Sequence, residues 1–173
     1  MADEVIKTQN LEKDGANIGG KGFCPQRDSE PEFKNIEGQC REFYPEGELN
    51  LVRNRRWYWE IAAEDLVKVA DFCFNTLGCR FSTATGEDTQ RGFTILYHFS
   101  LDRIGLLINV RVALPHDDPQ VDSLTVLGQG FEWAEREMHE MLGIGFRGLG
   151  DTRHLLLPDD SPDDYHPYRR SFG

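Results

Sequence analysis

The sequence predicts an α+β fold: a largely antiparallel sheet of four to five strands, two main helices, and extended N- and C-terminal segments. Three observations carry this. Short stretches near residues 49–61, 80–85, 93–99 and 104–114 are apolar with period-two alternation, the mark of a strand with one buried face. Two others, 64–77 and 131–142, place apolar residues three and four apart, as one face of a helix requires. Polar turns of four to seven residues separate the middle strands, which favours antiparallel hairpins.

Residues 1–45 read as a flexible N-terminal extension. Gly15, Gly19, Gly20, Gly22 and Gly38, with Pro25 and Pro31, interrupt any regular element, and apolar residues there have no sustained period. An arm that orders on a partner and a solvated tail both fit this composition. The glycines are too irregular for a phosphate-binding loop.

The domain proper, 46–158, opens with two short strands, Leu49 to Arg53 and Trp57 to Ile61, around Asn54-Arg55; Trp57, Trp59 and Ile61 share a face. Glu64-Asp65 opens a helix, since carboxylates complement the positive end of the helix dipole. Leu66, Val69, Ala70, Cys73 and Leu77 form its apolar face, and Gly78 ends it. Three strands follow: Arg80 to Thr85, Phe93 to Phe99 and Ile104 to Leu114, with residues 86–92 as a polar turn region. His98, inside an apolar strand, is expected to be buried and hydrogen-bonded. Pro115 to Asp122 reads as an exposed acidic turn.

The second main helix runs from Phe131 to Leu142. Phe131, Ala134, Met138, Met141 and Leu142 fall within one arc of roughly 100°. Arg136, Glu140 and Trp133 lie broadly opposite, and Glu135 and Glu137 sit on the edges of the stripe. Gly143 stands where the helix ends at positive φ. Glu132–Arg136 and Arg136–Glu140 are (i, i+4) pairs worth about 0.2–0.5 kcal/mol each, so spacing alone describes a solvated face.

The residue types of this stretch say more. Glu135-Arg136-Glu137, then Gly143-Ile144, Phe146, Gly148 and Arg153, resemble the signature of the 30 kDa (C) subunit family of respiratory complex I. Ser123-Leu124-Thr125 resembles the family as well, and the likeness runs more loosely back to about Glu48. Many complex I relatives have Gly-His-Pro where this chain has Gly148-Leu149-Gly150. Leu156-Leu157-Pro158-Asp159-Asp160, with Tyr165-His166-Pro167-Tyr168-Arg169-Arg170, is similar to the homologous subunit of energy-converting membrane-bound nickel–iron hydrogenases.

The resemblance implies a cofactor-free, hydrophilic structural subunit of a membrane-bound hydrogenase that couples hydrogen evolution to ion translocation. It would dock on the hydrogenase large subunit and the iron–sulfur small subunit, which would hold the nickel–iron centre and the iron–sulfur clusters. The alternative is the C subunit of a quinone-reducing, NADH:quinone oxidoreductase-type relative. In either case the chain is a non-catalytic part of an oxidoreductase complex. Glu135, Arg136, Glu137, Phe146, Gly148, Arg153, Tyr165 and Arg169 are then expected at subunit interfaces, with Arg136 making charge-assisted contacts across one, and Gly143 in a structural role. Residues 159–173 read as an extended tail, either partner-wrapping or solvated, and its aromatic and arginine residues tilt the reading towards contact with a partner.

Composition narrows the remaining classes. The net charge of −11 disfavours nucleic acid and anionic membrane surfaces as direct partners. No apolar run approaches the roughly 20 residues of a membrane span, and Met1 to Asn10 has no signal-peptide core. The expected location is the cytoplasmic side of the membrane, held there through partners. Cys24, Cys40, Cys73 and Cys79 form no C-x-x-C pair, so no metal or cluster is expected in the chain; Cys73 reads as core, and Cys24 and Cys40 fall in the flexible extension. His139-Glu140 begins an H-E-x-x-H pattern, but Gly143 takes the second histidine position. A stand-alone metal-dependent hydrolase using His116, Asp117, Asp118 and His139 is the reading from another class, and it predicts stoichiometric metal in the isolated chain.

Overall fold

In the computed structural model, which describes residues 30–53 and 55–170, five strands form a mixed sheet in the order β1-β2-β5-β4-β3. These are β1 (Glu48–Arg53), β2 (Arg56–Ile61), β3 (Arg80–Thr89), β4 (Gly92–Leu101) and β5 (Leu106–Leu114). Neighbours β1 and β2, β3 and β4, and β4 and β5 pair antiparallel, as expected. The central pair, β2 with β5, is parallel. Turn lengths do not reveal it, because β5 returns beside β2 only after a helix and a hairpin have intervened. Its register aligns Trp57 with Ile108, Trp59 with Val110 and Ile61 with Val112, which puts the apolar residues of both strands on one face.

Three α-helices among the described residues cover that face. They are α1 (Glu30–Phe43), α2 (Leu66–Asp71), which continues into a π turn over Phe72–Thr76, and α3 (Glu132–Leu142). Phe33 of α1 packs against Trp57, and Tyr44 and Phe72 meet Trp59 edge-on. Phe131, just before α3, sits 4.2 Å from Phe81. The opposite face is polar. Arg111 pairs with Glu60, and Asn109 donates to the Trp57 carbonyl at 2.7 Å. His98 is half-buried there and hydrogen-bonded to Asn109 and Thr85.

Three expectations are corrected. Residues 30–45 are not an extended arm: α1 occupies most of them, and residues 1–29, with Cys24, lie outside the described residues. Phe33, Ile36, Cys40 and Phe43 make a sparse helical stripe, and Ile36 and Cys40 are buried in the core. Gly38, which argues against a helix, lies where an added Cβ would touch nothing. Residues 86–92 are not a turn region, since β3 continues to Thr89 and only Gln90-Arg91 turn the chain. Gly86 lets α3 approach closely there: an added Cβ would lie 2.5 Å from Leu142 Cδ1 and 3.1 Å from Met138 Cγ, so those side chains would have to shift. Finally, the loops on either side of α3 are joined by a short parallel ladder, β6 (Gln120–Asp122) with β7 (Gly145–Arg147).

Cys40, Cys73 and Cys79 are buried under α1 and α2. Burial, reinforced by the neighbouring thiols, raises the Cys73 pKa well above its ordinary value. Burial likewise pushes Cys40 and Cys79 up to about 12. Thiolate is the reactive form, so all three are expected to resist alkylation in the native chain at about pH 8 and to react fully in denaturant. Peptide mapping of native and unfolded samples measures this, and rapid native labelling at any of the three would contradict the core placement.

Candidate functional site

The site is built around α3. Glu132 and Glu135 lie in its first turn, where the helix dipole favours negative charge. Met138 and Leu142 pack on the sheet side. The helical wheel sets Glu135 at the edge of the apolar stripe and Glu140 opposite it. In the structure both are buried, at 0% and 7% exposure, so the helix carries two internal carboxylates.

Glu135 ties α3 to the Ser123-Leu124-Thr125 turn and to the sheet. Its Oε1 accepts from the Tyr97 hydroxyl at 2.9 Å and the Leu124 N–H at 2.8 Å, and its Oε2 accepts from the Ser123 hydroxyl. Burial raises its pKa, and the Ser123, Leu124 and Tyr97 bonds recover only part of that shift. Burial and the nearby carboxylate raise the Tyr97 phenol well above its usual range, so it remains a donor. Glu135 is an internal structural group and not the surface contact that the sequence suggests.

Glu140 ties α3 to the C-terminal segment. Its carboxylate accepts the N–H groups of Leu155 at 3.1 Å, Leu156 at 3.0 Å and Leu157 at 2.9 Å, with His154 Nδ1 at 3.1 Å. Burial alone would raise its pKa. The backbone donors of Leu157, Leu156 and Leu155, with His154, outweigh burial and lower it.

Arg136, between them, is also occupied internally, with a side chain only 11% exposed. Its Nη2 donates to the carbonyls of Arg153 at 2.9 Å and His154 at 3.4 Å. Its Nη1 lies 3.3 Å from Asp151 and 3.8 Å from Glu132. These contacts form a clasp within the chain, while the buried Arg136 Nε meets no acceptor among the described residues. Hydrogen bonds from Arg153, and then the Arg136 and Arg153 charges, hold Asp151 well below the usual carboxylate range.

Residues 148–170 contain no helix or strand, yet their course is fixed. Besides the Glu140 and Arg136 contacts, they cap the end of α3. His166 Nδ1 donates to the Glu140 carbonyl at 2.8 Å, Tyr168 N–H to Met141 at 3.0 Å, and Arg169 Nε to Leu142 at 2.7 Å. Gly143 N–H donates to His139. The helix's last carbonyls are therefore satisfied, with a cation at the negative end of its dipole. The tail is an ordered strap along α3.

Gly143 has φ 70°, as the helix stop requires. A Cβ there would fall 2.4 Å from Arg169 and 2.5 Å from His166. Gly143→Val is expected to cost about 2–3 kcal/mol, from left-handed strain and displacement of the cap. Thermal unfolding measures it; an unchanged Tm would refute the cap.

The other expected interface residues divide. Phe146 on β7 is buried at 8% exposure. Arg169 is half-buried, with its guanidinium 5.5 Å from the Phe93 ring centre. Glu137, Gly148, Arg153 and Tyr165 are exposed, and Arg153 pairs with Asp151 at 2.7 Å. The hydrolase candidates are not gathered into one centre: His116 pairs with Asp88 at 2.8 Å, while His139 bonds the Ile144 carbonyl. Among the described residues no group of three His, Cys, Asp or Glu side chains could hold a metal ion. No described helix is long and apolar enough to cross a membrane. The arrangement fixes shape: polar side chains lock two loops and a strap onto one helix.

Residues 59–173 match a family model described as the respiratory-chain NADH dehydrogenase, 30 Kd subunit. Among curated relatives, the NADH-quinone oxidoreductase C subunit of Ruegeria pomeroyi is 32% identical over 136 residues, covering 73% of this chain and 60% of that protein. Formate hydrogenlyase subunit 5 of Escherichia coli K12 is 32% identical over 109 residues, covering 61% of this chain and 19% of that protein. The chain thus spans less than two thirds of the length of either. A chain in the structure of an archaeal membrane-bound sulfane sulfur reductase shares the fold, with TM-score 0.75 and 20% identity, over 82% of this chain and 86% of that one.

Proposed function

This chain belongs to the family of the respiratory-chain NADH dehydrogenase 30 Kd subunit, and from that membership we propose that it is a cofactor-free structural subunit of a membrane-bound, energy-converting oxidoreductase. One observation supports this most directly. Glu135, Arg136 and Glu140, the polar groups most prominent in the signature helix, are engaged with the chain's own backbone and side chains. Their described contacts hold a surface in place, with Arg136 Nε the one buried side-chain polar atom among the described residues left without a hydrogen-bond partner.

The host we favour is a hydrogenase coupled to ion translocation. The likeness to formate hydrogenlyase subunit 5 and the Leu-Pro-Asp-Asp tail support it. In that setting the chain docks on a nickel–iron large subunit and an iron–sulfur small subunit, at the cytoplasmic side and peripheral to the membrane. Glu137, Gly148, Arg153 and Tyr165 are the signature and tail positions left exposed for such contacts. The quinone-reducing reading has its own support, since the NADH-quinone oxidoreductase relative covers the larger share of this chain.

Mild-detergent extraction of membranes through a tag on this chain, with mass spectrometry of the retained proteins, decides between them. A retained large subunit with two C-x-x-C pairs as nickel ligands is the expected result. A large subunit lacking those cysteines would move the assignment to the quinone-reducing type. Recovery of the chain alone would overturn the assembly reading.

A further inference from the structure

A stretch as long as residues 148–170 without helix or strand is uncommon in a compact domain, and when ordered it usually serves a function. Its order comes from backbone groups bonded inward to Glu140 and Arg136, and from side chains capping α3. Other side chains of the strap are left pointing outward. Leu156 and Tyr168 are each 60% exposed. Trp133, on the first turn of α3, is 68% exposed. Arg136 bridges Glu132 to Asp151, so the start of the strap lies beside that turn. Asp159, Asp160, Asp163 and Asp164 are also exposed. Among the described residues none of the four is within ion-pairing distance of a cation, although Asp159 lies in the field of Arg153.

We propose that the strap and the exposed side of α3 form a docking surface for a protein partner with a basic, lysine- and arginine-bearing face. The inference rests on reading the chain as a subunit of an assembly and names the chemistry of one contact. Large apolar and aromatic side chains held out in water are typical anchors of an interface. Four exposed carboxylates of the same strap, none closed into an ion pair among the described residues, outnumber its exposed Arg153 and Arg170 and favour a basic face over anionic headgroups and nucleic acid. Because the strap is already fixed to α3, docking would not have to order it.

The test uses the full chain in its native complex, extracted with mild detergent through the same tag. Carboxyl-to-amine, zero-length cross-linking is expected to join peptides containing Asp159 to Asp164 to lysines of a retained partner. A variant combining Asp159→Asn, Asp160→Asn, Asp163→Asn and Asp164→Asn is expected to keep the wild-type melting temperature. It should lose that partner at salt concentrations the wild type withstands, with affinity reduced roughly tenfold or more. Undiminished retention by this variant, or cross-links only from carboxylates elsewhere in the chain, would overturn the surface and leave the assembly reading intact. If the wild-type chain retains no partner at all, the assembly reading itself fails, and this inference with it.

Discussion

Glu135→Ala is expected to destabilise the folded chain by about 3–5 kcal/mol. The substitution leaves the Tyr97 hydroxyl and the Leu124 N–H without their acceptor in a buried site, and opens a void between α3 and the sheet. Glu135→Gln should behave differently. Its carbonyl can still accept from Tyr97 and Leu124, and its NH₂ can donate to Ser123 Oγ while the Ser123 hydroxyl turns to Thr125. The amide is expected within about 1 kcal/mol of wild type near neutral pH. The two variants also separate in pH dependence. Burial holds the Glu135 pKa above the ordinary glutamate value, so the folded state keeps this proton better than the unfolded chain. Its contribution is full below the ordinary glutamate range and is lost as pH rises through the folded-state pKa. Urea unfolding across pH should show that loss in the wild type and its absence in Glu135→Gln. Equal stability of wild type and Glu135→Ala would remove Glu135 from its structural role.

Glu140→Gln is expected to release the strap, where the same exchange at Glu135 is tolerated. All four donors to Glu140 come from outside α3, and the carboxylate meets them with both oxygens. Oε1 takes Leu155, Leu157 and His154, and Oε2 takes Leu156. An amide in either orientation points N–H at a backbone N–H. Loss of the clasp should cost about 2–4 kcal/mol, felt first as local opening of residues 151–170. Hydrogen exchange at the Leu155 to Leu157 amides reads this directly, and tryptic cleavage after the exposed Arg153 gives a second measure. The sign with pH is opposite to that of Glu135. The folded-state pKa of Glu140 is lowered, so its contribution is present above the ordinary glutamate range and lost as pH falls through the folded-state value. Wild-type strap protection should therefore weaken in acid, and the variant should lack that transition. Full protection of the three leucine amides in Glu140→Gln would show that other contacts hold the strap.

The two carboxylates mark where sequence reasoning stops. Periodicity places α3 and its glycine stop, because a buried apolar stripe and a left-handed terminus depend on residues close together in the chain. It sets Glu135 and Glu137 alike on the edges of the stripe and Glu140 opposite it, and neither position marks a carboxylate that will be buried. Their difference comes from Tyr97 and Ser123 on one side and Leu155 to Leu157 on the other. Helix α1 escapes periodicity for a related reason. Phe33, Ile36, Cys40 and Phe43 are too thinly spaced among charges to stand out, and what makes them a helix face is the Trp57, Trp59 and Phe72 surface they cover.

The α+β class, the helix-and-glycine signature and the family are legible in the order of residues, because alternation, helical spacing and signature residues are local properties of the chain. The parallel pairing of β2 with β5, the internal bonding of Glu135, Arg136 and Glu140, and the course of the C-terminal strap emerge in the folded molecule. Each of these depends on groups far apart in sequence meeting at hydrogen-bonding distance, and a buried charge or an unpaired backbone N–H is costly enough that such meetings fix the fold.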